Sequence, residues 1–223
     1  MSVTITDGIA TFSGSGELIN CTMYLDHNVY AVVIDNYTSI GNYAFKLSTD
    51  ITRITISNSV THIGDYAFYK MSSLTTVNLP NSVTHIGDYA FYGTVKLTTI
   101  SIPINVSSIG YETFGSTPLL TEILVDSENS NYLSQDGILF NKTQTQLLHY
   151  PVAKLDTEYT IPSSVTIISD NAFKLATRLT SVTLSNGVTH IKDSAFSWMA
   201  NLSTINIPTT VTHIGENVYY KTD

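Results

Sequence analysis

Charged side chains are scarce in this sequence. They make up 13% of the 223 residues, about half of the usual quarter for a soluble domain. With 43% hydrophobic residues, that scarcity argues against a disordered chain, which combines high charge with little apolar surface. The 10 Lys and Arg stand against 18 Asp and Glu, leaving −8 at neutral pH. Nucleic-acid partners call for clustered basic residues, so that class is excluded. A single cysteine, Cys21, excludes an intrachain disulfide framework and any cysteine-built metal cluster. No apolar run approaches the ~20 residues of a membrane span; the longest is Tyr30-Ala-Val-Val-Ile34. The opening residues Met1–Gly8 lack the basic-then-apolar order of a signal peptide. The chain therefore reads either as a protein soluble inside the cell or as a segment of a longer one. G-x-G-x-x-G and Walker-type loops are missing too, and no cofactor is expected.

What the chain has in excess is self-similarity. Val60-Thr-His-Ile-Gly-Asp-Tyr-Ala-Phe68 returns unchanged at Val83–Phe91, a shift of 23 residues. The same frame starts at 37, 60, 83, 106, 165, 188 and 211. Only the step from 106 to 165 breaks it, by 36 extra residues. Within a unit the apolar positions are fixed: Val60, Ile63, Ala67, Phe68, Met71, Leu74, Val77 and Leu79. Leu74-Thr-Thr-Val-Asn-Leu79 ends in the alternation of a half-buried strand. Pro80 or Pro103 closes it, since proline cannot donate to a continuing ladder. The spacing of Ala67, Phe68 and Met71 predicts a single helical or 3₁₀ turn. One such unit cannot bury its own apolar face, but stacked units can. The expectation is a mainly β, right-handed repeat solenoid, with strands ~4.8 Å apart in a parallel sheet and a ladder of Phe45, Phe68 and Phe91.

These segments, Val-Thr-His-Ile-Gly-Asp-Tyr-Ala-Phe followed by Leu-Thr-Thr-Val-Asn-Leu-Pro, resemble the BspA-like leucine-rich repeat. The resemblance covers residues 37–223 apart from the insertion. It implies a curved solenoid whose parallel strands line the concave face, with short turns, 3₁₀ or single-turn helices on the convex side. It further implies a surface protein of a host-associated microbe, engaged in adhesion to extracellular-matrix proteins such as fibronectin. Nothing in the composition or spacing speaks to those functional points.

Four blocks follow from the frame. Residues 1–36 read as an N-terminal hairpin and capping coil, because Asp7-Gly8 is a strong two-residue hairpin signal. Pairing across it sets Val3 against Phe12 and Ile5 against Ala10. Residues 37–126 are repeats. Residues 127–164 form an insertion, read as an atypical repeat built on a hairpin at Asp136-Gly137 with a returning strand. Residues 165–223 are repeats again, and the last one stops at Asp223 before its strand. That leaves an open sheet edge, from which a truncated piece or self-association at this end is expected.

Histidines recur at one repeat position as His62, His85, His190 and His213. A two-histidine column could hold a transition metal or sense pH. No Asp, Glu or Cys stands at fixed spacing to complete a ligand shell, so a repeated consensus position is the preferred reading and no metal site is expected. Asp65, Asp88 and Asp193 read as caps of the following turn rather than paired acids. Ser and Thr make up about a quarter of the chain, so a Ser/His/Asp set can be drawn almost anywhere. That freedom empties the match of meaning, and no catalytic residue is assigned.

Strand alternation points twelve side chains outward: Arg53, Thr55, Thr76, Asn78, Thr99, Ser101, Glu122, Leu124, Ser181, Thr183, Thr204 and Asn206. The resemblance places them on the concave face, where solenoids usually bind. This surface is short-chained and polar, and lacks the Trp, Tyr and Arg anchors of protein hot spots. The alternative patch is a set of tyrosine columns on the turn side, Tyr43, Tyr66, Tyr89, Tyr69 and Tyr92, with Trp198 further along. The expected function is non-enzymatic recognition or adhesion at the cell surface, with a protein or glycan partner. An intracellular protein–protein scaffold is the alternative.

Overall fold

The computed structural model describes residues 1–222; Asp223, which closes the last block, lies outside the described residues. The chain forms two compact units. Unit 1 comprises Met1–Leu119 with Asp126–Ser130, and unit 2 comprises Leu120–Val125 with the chain from Asn131 onward.

Unit 1 opens with β1 (Ser2–Thr6), β2 (Ile9–Ser13), β3 (Glu17–Leu18), β4 (Ala31–Asp35), β5 (Ser39–Ile40) and β6 (Arg53–Ile56). It continues with β7 (His62–Ile63), β8 (Thr76–Asn78), β9 (His85–Ile86), β10 (Thr99–Ile102) and β11 (Ser108–Ile109). Successive coils thus supply strands to two sheets, ordered β1-β2-β4-β6-β8 and β3-β5-β7-β9-β11, with β10 outside both. The second strand of each coil is two residues long, too short for alternation to show in the sequence. The pairings are parallel, offset by the 23-residue repeat in Ile40↔Ile63 and Ile63↔Ile86 and by 22 residues in the first coils, as in Ile9↔Ala31 and Ala31↔Arg53. The exception is β1, which pairs antiparallel with β2 as Val3↔Phe12 and Ile5↔Ala10. Asp7 and Gly8 both have positive φ, 49° and 73°, the requirement of the type I′ hairpin turn. Phe12 and Ala10 are buried while Ile5 is exposed. So β1 extends the sheet edge, and β2 with β3 already forms a coil.

The core of unit 1 is a file of rings. Phe12, Phe45, Phe68 and Phe91 are all fully buried. Phe45 lies 5.8 Å from Phe68, and Phe91 lies 5.1 Å from Phe68 and 6.1 Å from Phe114.

Of the alternatives for the stretch after each glycine, the structure takes turns and no helix. Tyr66 and Lys70 adopt φ of 55° and 54°. The Tyr66, Phe68 and Lys70 N–H groups donate to carbonyls of the next coil, Asp88, Ala90 and Tyr92, at 2.7–2.9 Å. Ala67, Tyr69 and Met71 donate three residues back within their own coil. A left-handed conformation costs an L-residue ~1–2 kcal/mol, and the intercoil hydrogen bonds offset it. The apolar side chains that suggested a helix, Ala67, Phe68 and Met71, are nonetheless all fully buried.

Unit 2 contains β12 (Glu122–Val125), β13 (Tyr132–Gln135), β14 (Ile138–Asn141), β15 (Gln146–His149) and β16 (Glu158–Thr160). β17 (Ile167–Ile168), β18 (Ser181–Thr183), β19 (His190–Ile191), β20 (Thr204–Asn206) and β21 (His213–Ile214) follow. Its sheets run β13-β14-β15-β17-β19-β21 and β16-β18-β20. β13 and β14 form an antiparallel hairpin around Asp136 and Gly137, with φ of 53° and 78°. β15 pairs antiparallel with β14 and parallel with β17, handing the chain back to the repeat register. Tyr150, Phe173 and Phe196 stack at 5.1 Å steps, and Tyr219 follows at 5.9 Å. Each unit is therefore a mainly β solenoid of stacked coils held by parallel sheets.

Candidate functional site

The outward strand positions divide between the units. In unit 1, Arg53 pairs with Thr76 and Thr55 with Asn78 on β6 and β8. All four are exposed, alternating with buried Ile54, Ile56 and Val77. On β10, Ser101 is exposed and Thr99 half-buried. In unit 2, Ser181 pairs with Thr204 and Thr183 with Asn206. Thr183, Thr204 and Asn206 are exposed and Ser181 half-buried. On β12, Leu124 is exposed and Glu122 half-buried. Asn206 Oδ1 accepts the Leu184 N–H at 3.1 Å. These rows can offer short hydroxyl and amide groups, with Arg53 as the one cation among them.

The tyrosine columns lie on the turn side of unit 1. Each left-handed residue ends with its ring one coil-step from the next. Tyr43, Tyr66 and Tyr89 stack nearly parallel at 5.0 and 4.9 Å. Tyr69 and Tyr92 stack at 5.4 Å. The columns meet edge to face, Tyr66 with Tyr69 at 5.3 Å and Tyr89 with Tyr92 at 5.6 Å. Burial pushes the Tyr89 phenol up to about 12, reinforced by the neighbouring acidic groups Tyr111, Glu112, Tyr66 and Asp88. Its hydroxyl is therefore a neutral donor at physiological pH. Lys46 Nζ lies 5.0 Å from the Tyr43 ring and 5.6 Å from Tyr69, and Lys70 Nζ lies 5.2 Å from Tyr69. The sequence reading missed these lysines and Tyr111, which meets Tyr89 edge-on at 5.6 Å. Aligning the coils position by position is the signal that finds them.

The histidines pair as columns within each unit. His62 and His85 stack at 4.5 Å, and His190 and His213 at 4.2 Å. Thr84 Oγ1 donates to the Thr61 carbonyl at 3.1 Å and lies 2.7 Å from His85 Nδ1. A hydroxyl has one proton to give, so His85 Nδ1 carries the ring proton and donates to Thr84. Thr61 and His62, Thr189 and His190, and Thr212 and His213 repeat the arrangement. The remaining Nε2 lone pairs of stacked rings run parallel instead of converging on one ion. Among the described residues, no three His, Cys, Asp or Glu side chains come together to hold a metal.

The repeated acids do not cap their own turn. Asn42, Asp65 and Asp88 accept the backbone N–H of Asp65, Asp88 and Tyr111 in the next coil, at 2.7–2.9 Å. Asp193 does the same for Glu216 in unit 2. The glycine beside each acceptor leaves the room: a Cβ on Gly87 would sit 2.5 Å from Asp65 Oδ1. Elsewhere in unit 2, His149 has a buried Nε2, and burial holds this ring down to about 4.

With this geometry in hand, comparison with known proteins is direct. The BspA type leucine rich repeat region matches residues 38–153 and 149–223, in six copies. A leucine-rich repeat protein from Eubacterium ventriosum is 32% identical, with a TM-score of 0.81 over 96% of this chain. The present chain spans 65% of that one. A leucine rich cell surface protein from Faecalibacterium prausnitzii is 25% identical, with a TM-score of 0.68 over 98% of this chain and 71% of its own. The pneumococcal vaccine antigen PcpA shares the fold at 19% identity, with a TM-score of 0.78 over 99% of this chain and 76% of its own. No curated protein matches. Seven units in one frame, parallel ladders in step with that frame and a match across most of the length lead to one statement: the chain belongs to the BspA-type leucine-rich repeat family.

Proposed function

We propose that this chain is a non-enzymatic recognition module that works at a cell surface and binds a protein partner through the tyrosine columns of unit 1. The carrying observation is the double column itself. Five tyrosines are fixed in place by their own stacking, so little side-chain freedom is left to lose on binding. Their faces are engaged with one another, which leaves hydroxyl-tipped edges outward. Edges suit the mixed polar and apolar surface of a protein better than the flat face of a sugar, so protein is preferred to glycan. An extracellular-matrix protein such as fibronectin is the partner class to try first. The strand rows Arg53, Thr55, Thr76 and Asn78 are the second surface. The similarity to a cell surface protein at 25% identity supports the location.

Self-association belongs to the same proposal. At the outer strands of unit 2, Ile207 and Ile214 are 44% and 54% exposed, whereas Leu184 and Ile191 one coil earlier are buried. A second copy can add strands there.

The test is binding to immobilised fibronectin and to a glycan panel, with Tyr66→Ser/Tyr89→Ser and Thr76→Lys/Asn78→Lys variants. The tyrosine variant is expected to lose tenfold or more in affinity, in keeping with aromatic hot spots worth ~2 kcal/mol. Equal affinity in that variant, or binding to glycans alone, refutes the reading.

A further inference from the structure

One departure from the repeat stands out when the units are laid side by side. In unit 1 the equivalent positions Lys46, Tyr69 and Tyr92 make a filled column: the ammonium lies 5.6 Å from the Tyr69 ring, and Tyr69 stacks on Tyr92 at 5.4 Å. The same three positions in unit 2 hold Lys174, Ser197 and Tyr220. The cation and the outer ring are kept and the middle ring is gone. The adjoining column changes likewise, from Tyr43, Tyr66 and Tyr89 to Asn171, Ser194 and Asn217.

The missing ring leaves a cavity of ≈ 230 Å³ lined by Lys174, Ser194, Ser197, Trp198, Asn217 and Tyr220. Trp198 and Tyr220 form an aromatic corner, with centroids 5.7 Å apart and planes at 72°. Lys221 Nζ lies 4.1 Å from the Trp198 ring. Ser197 is 2% exposed, and its Oγ is buried without a hydrogen-bond partner among the described residues. A buried hydroxyl in that state is unusual in a folded protein and calls for a cause.

We propose that this cavity receives a tyrosine side chain from the partner protein, its ring between Lys174 and Tyr220 and its hydroxyl on Ser197 Oγ. The proposal rests on the recognition role above and names the group that the partner presents. Unit 1 supplies the precedent: with an ammonium one coil before and a tyrosine one coil after, the middle position holds a phenol. There the ring grows outward from its own backbone. A ring arriving from outside points the other way, and its oxygen comes down on Ser197, whose buried hydroxyl turns about its single side-chain torsion to meet it. Phenylalanine fills the slot but leaves that hydroxyl unpaired, and an aliphatic side chain gains neither the stacking nor the cation contact.

Trp198 is the sole tryptophan of the chain and lines the cavity, so its emission and its indole N–H resonance report occupancy. The experiment titrates the whole chain with N-acetyltyrosinamide, N-acetylphenylalaninamide and N-acetylleucinamide. A saturable response to the tyrosine probe is expected, with the phenylalanine probe weaker by several-fold to about tenfold, the range of one hydrogen bond, and no response to leucine. Ser197→Tyr restores the unit 1 column and should abolish the response with the circular dichroism spectrum and melting preserved. Ser197→Ala should keep ring binding and bring the tyrosine and phenylalanine probes level. No saturation with the tyrosine probe overturns the proposal, as does an unchanged response in folded Ser197→Tyr. If that variant fails to fold, the probe preference in Ser197→Ala decides: a preserved tyrosine preference overturns it. The titration contains no partner protein, so its failure leaves the fibronectin result with the unit 1 variants standing, and the reverse also holds.

Discussion

Replacing Phe91 with alanine tests the stacked core at its best-defined point. The ring is fully buried between Phe68 at 5.1 Å and Phe114 at 6.1 Å. Its removal opens a gap that the neighbours cannot close, because both flanking coils are pinned by backbone hydrogen bonds. Phe68 N–H donates to the Ala90 carbonyl at 2.9 Å, and Phe91 N–H to Thr113 at 3.0 Å. Truncations of this kind cost ~3–5 kcal/mol where the site stays open. For a chain of this size each kcal/mol moves the melting temperature by ~2–4 °C, so a fall of roughly 6–20 °C is expected. Phe91→Leu keeps most of the apolar volume and should cost under ~1.5 kcal/mol. The measurement is thermal and urea unfolding by circular dichroism for the wild type and both variants. A Phe91→Ala melt that overlays the wild type, or equal damage from leucine and alanine, refutes the ring-ladder account.

Two further predictions follow from the coil geometry. His149 is held down to about 4 from its ordinary 6.5, so the unfolded state takes up the proton first as pH falls. Its contribution to stability is complete above 6.5 and is lost on the way to 4, worth about 3 kcal/mol at most. Urea midpoints at pH 7 and pH 4.5 should diverge less in His149→Gln than in the wild type, and equal divergence counts against the assignment. At the acid ladder, Asp65→Ala removes the acceptor of the Asp88 N–H and should cost ~1–3 kcal/mol by urea denaturation, while Asp65→Asn should recover most of that. Gly87→Ala should match the alanine loss, since its Cβ would take the acceptor's space; a neutral Gly87→Ala speaks against the ladder.

The fold was legible because the repeat writes the same local answer seven times. The Ile63 position is isoleucine in all seven units and the Phe68 position phenylalanine in six, with Tyr219 in the last; Val60, Ile63, Phe68 and Leu74 are all buried. The Asp7-Gly8 and Asp136-Gly137 turns were readable for a local reason as well, since few dipeptides accept two successive positive φ values. What stayed hidden was nonlocal. The His62-Ile63 strand exists through its partners in neighbouring coils, and two residues carry no periodicity. Ala67, Phe68 and Met71 sit at helical spacing, yet the Tyr66 and Phe68 N–H groups leave for the next coil. Asp65 looked like a local cap for the same reason. On the functional surface, the tyrosine stacking could be anticipated from repeat spacing. The cavity at Ser197 appears in the sequence only as a small residue where Tyr69 and Tyr92 stand in other coils, and its meaning required the buried hydroxyl.

The turn side carries its own intercoil hydrogen bonds, from Tyr66 to Asp88 and from Phe68 to Ala90, so every coil is stitched to the next along more than one seam. A residue gained or lost between two seams is absorbed in a bend, since Ala31↔Arg53 spans 22 residues and Arg53↔Thr76 spans 23 in one continuous sheet, whereas only adding or removing an entire turn of the spring changes the number of rungs. Length in such a molecule is quantised, and natural drift or an engineer's scissors can change its reach only by whole windings.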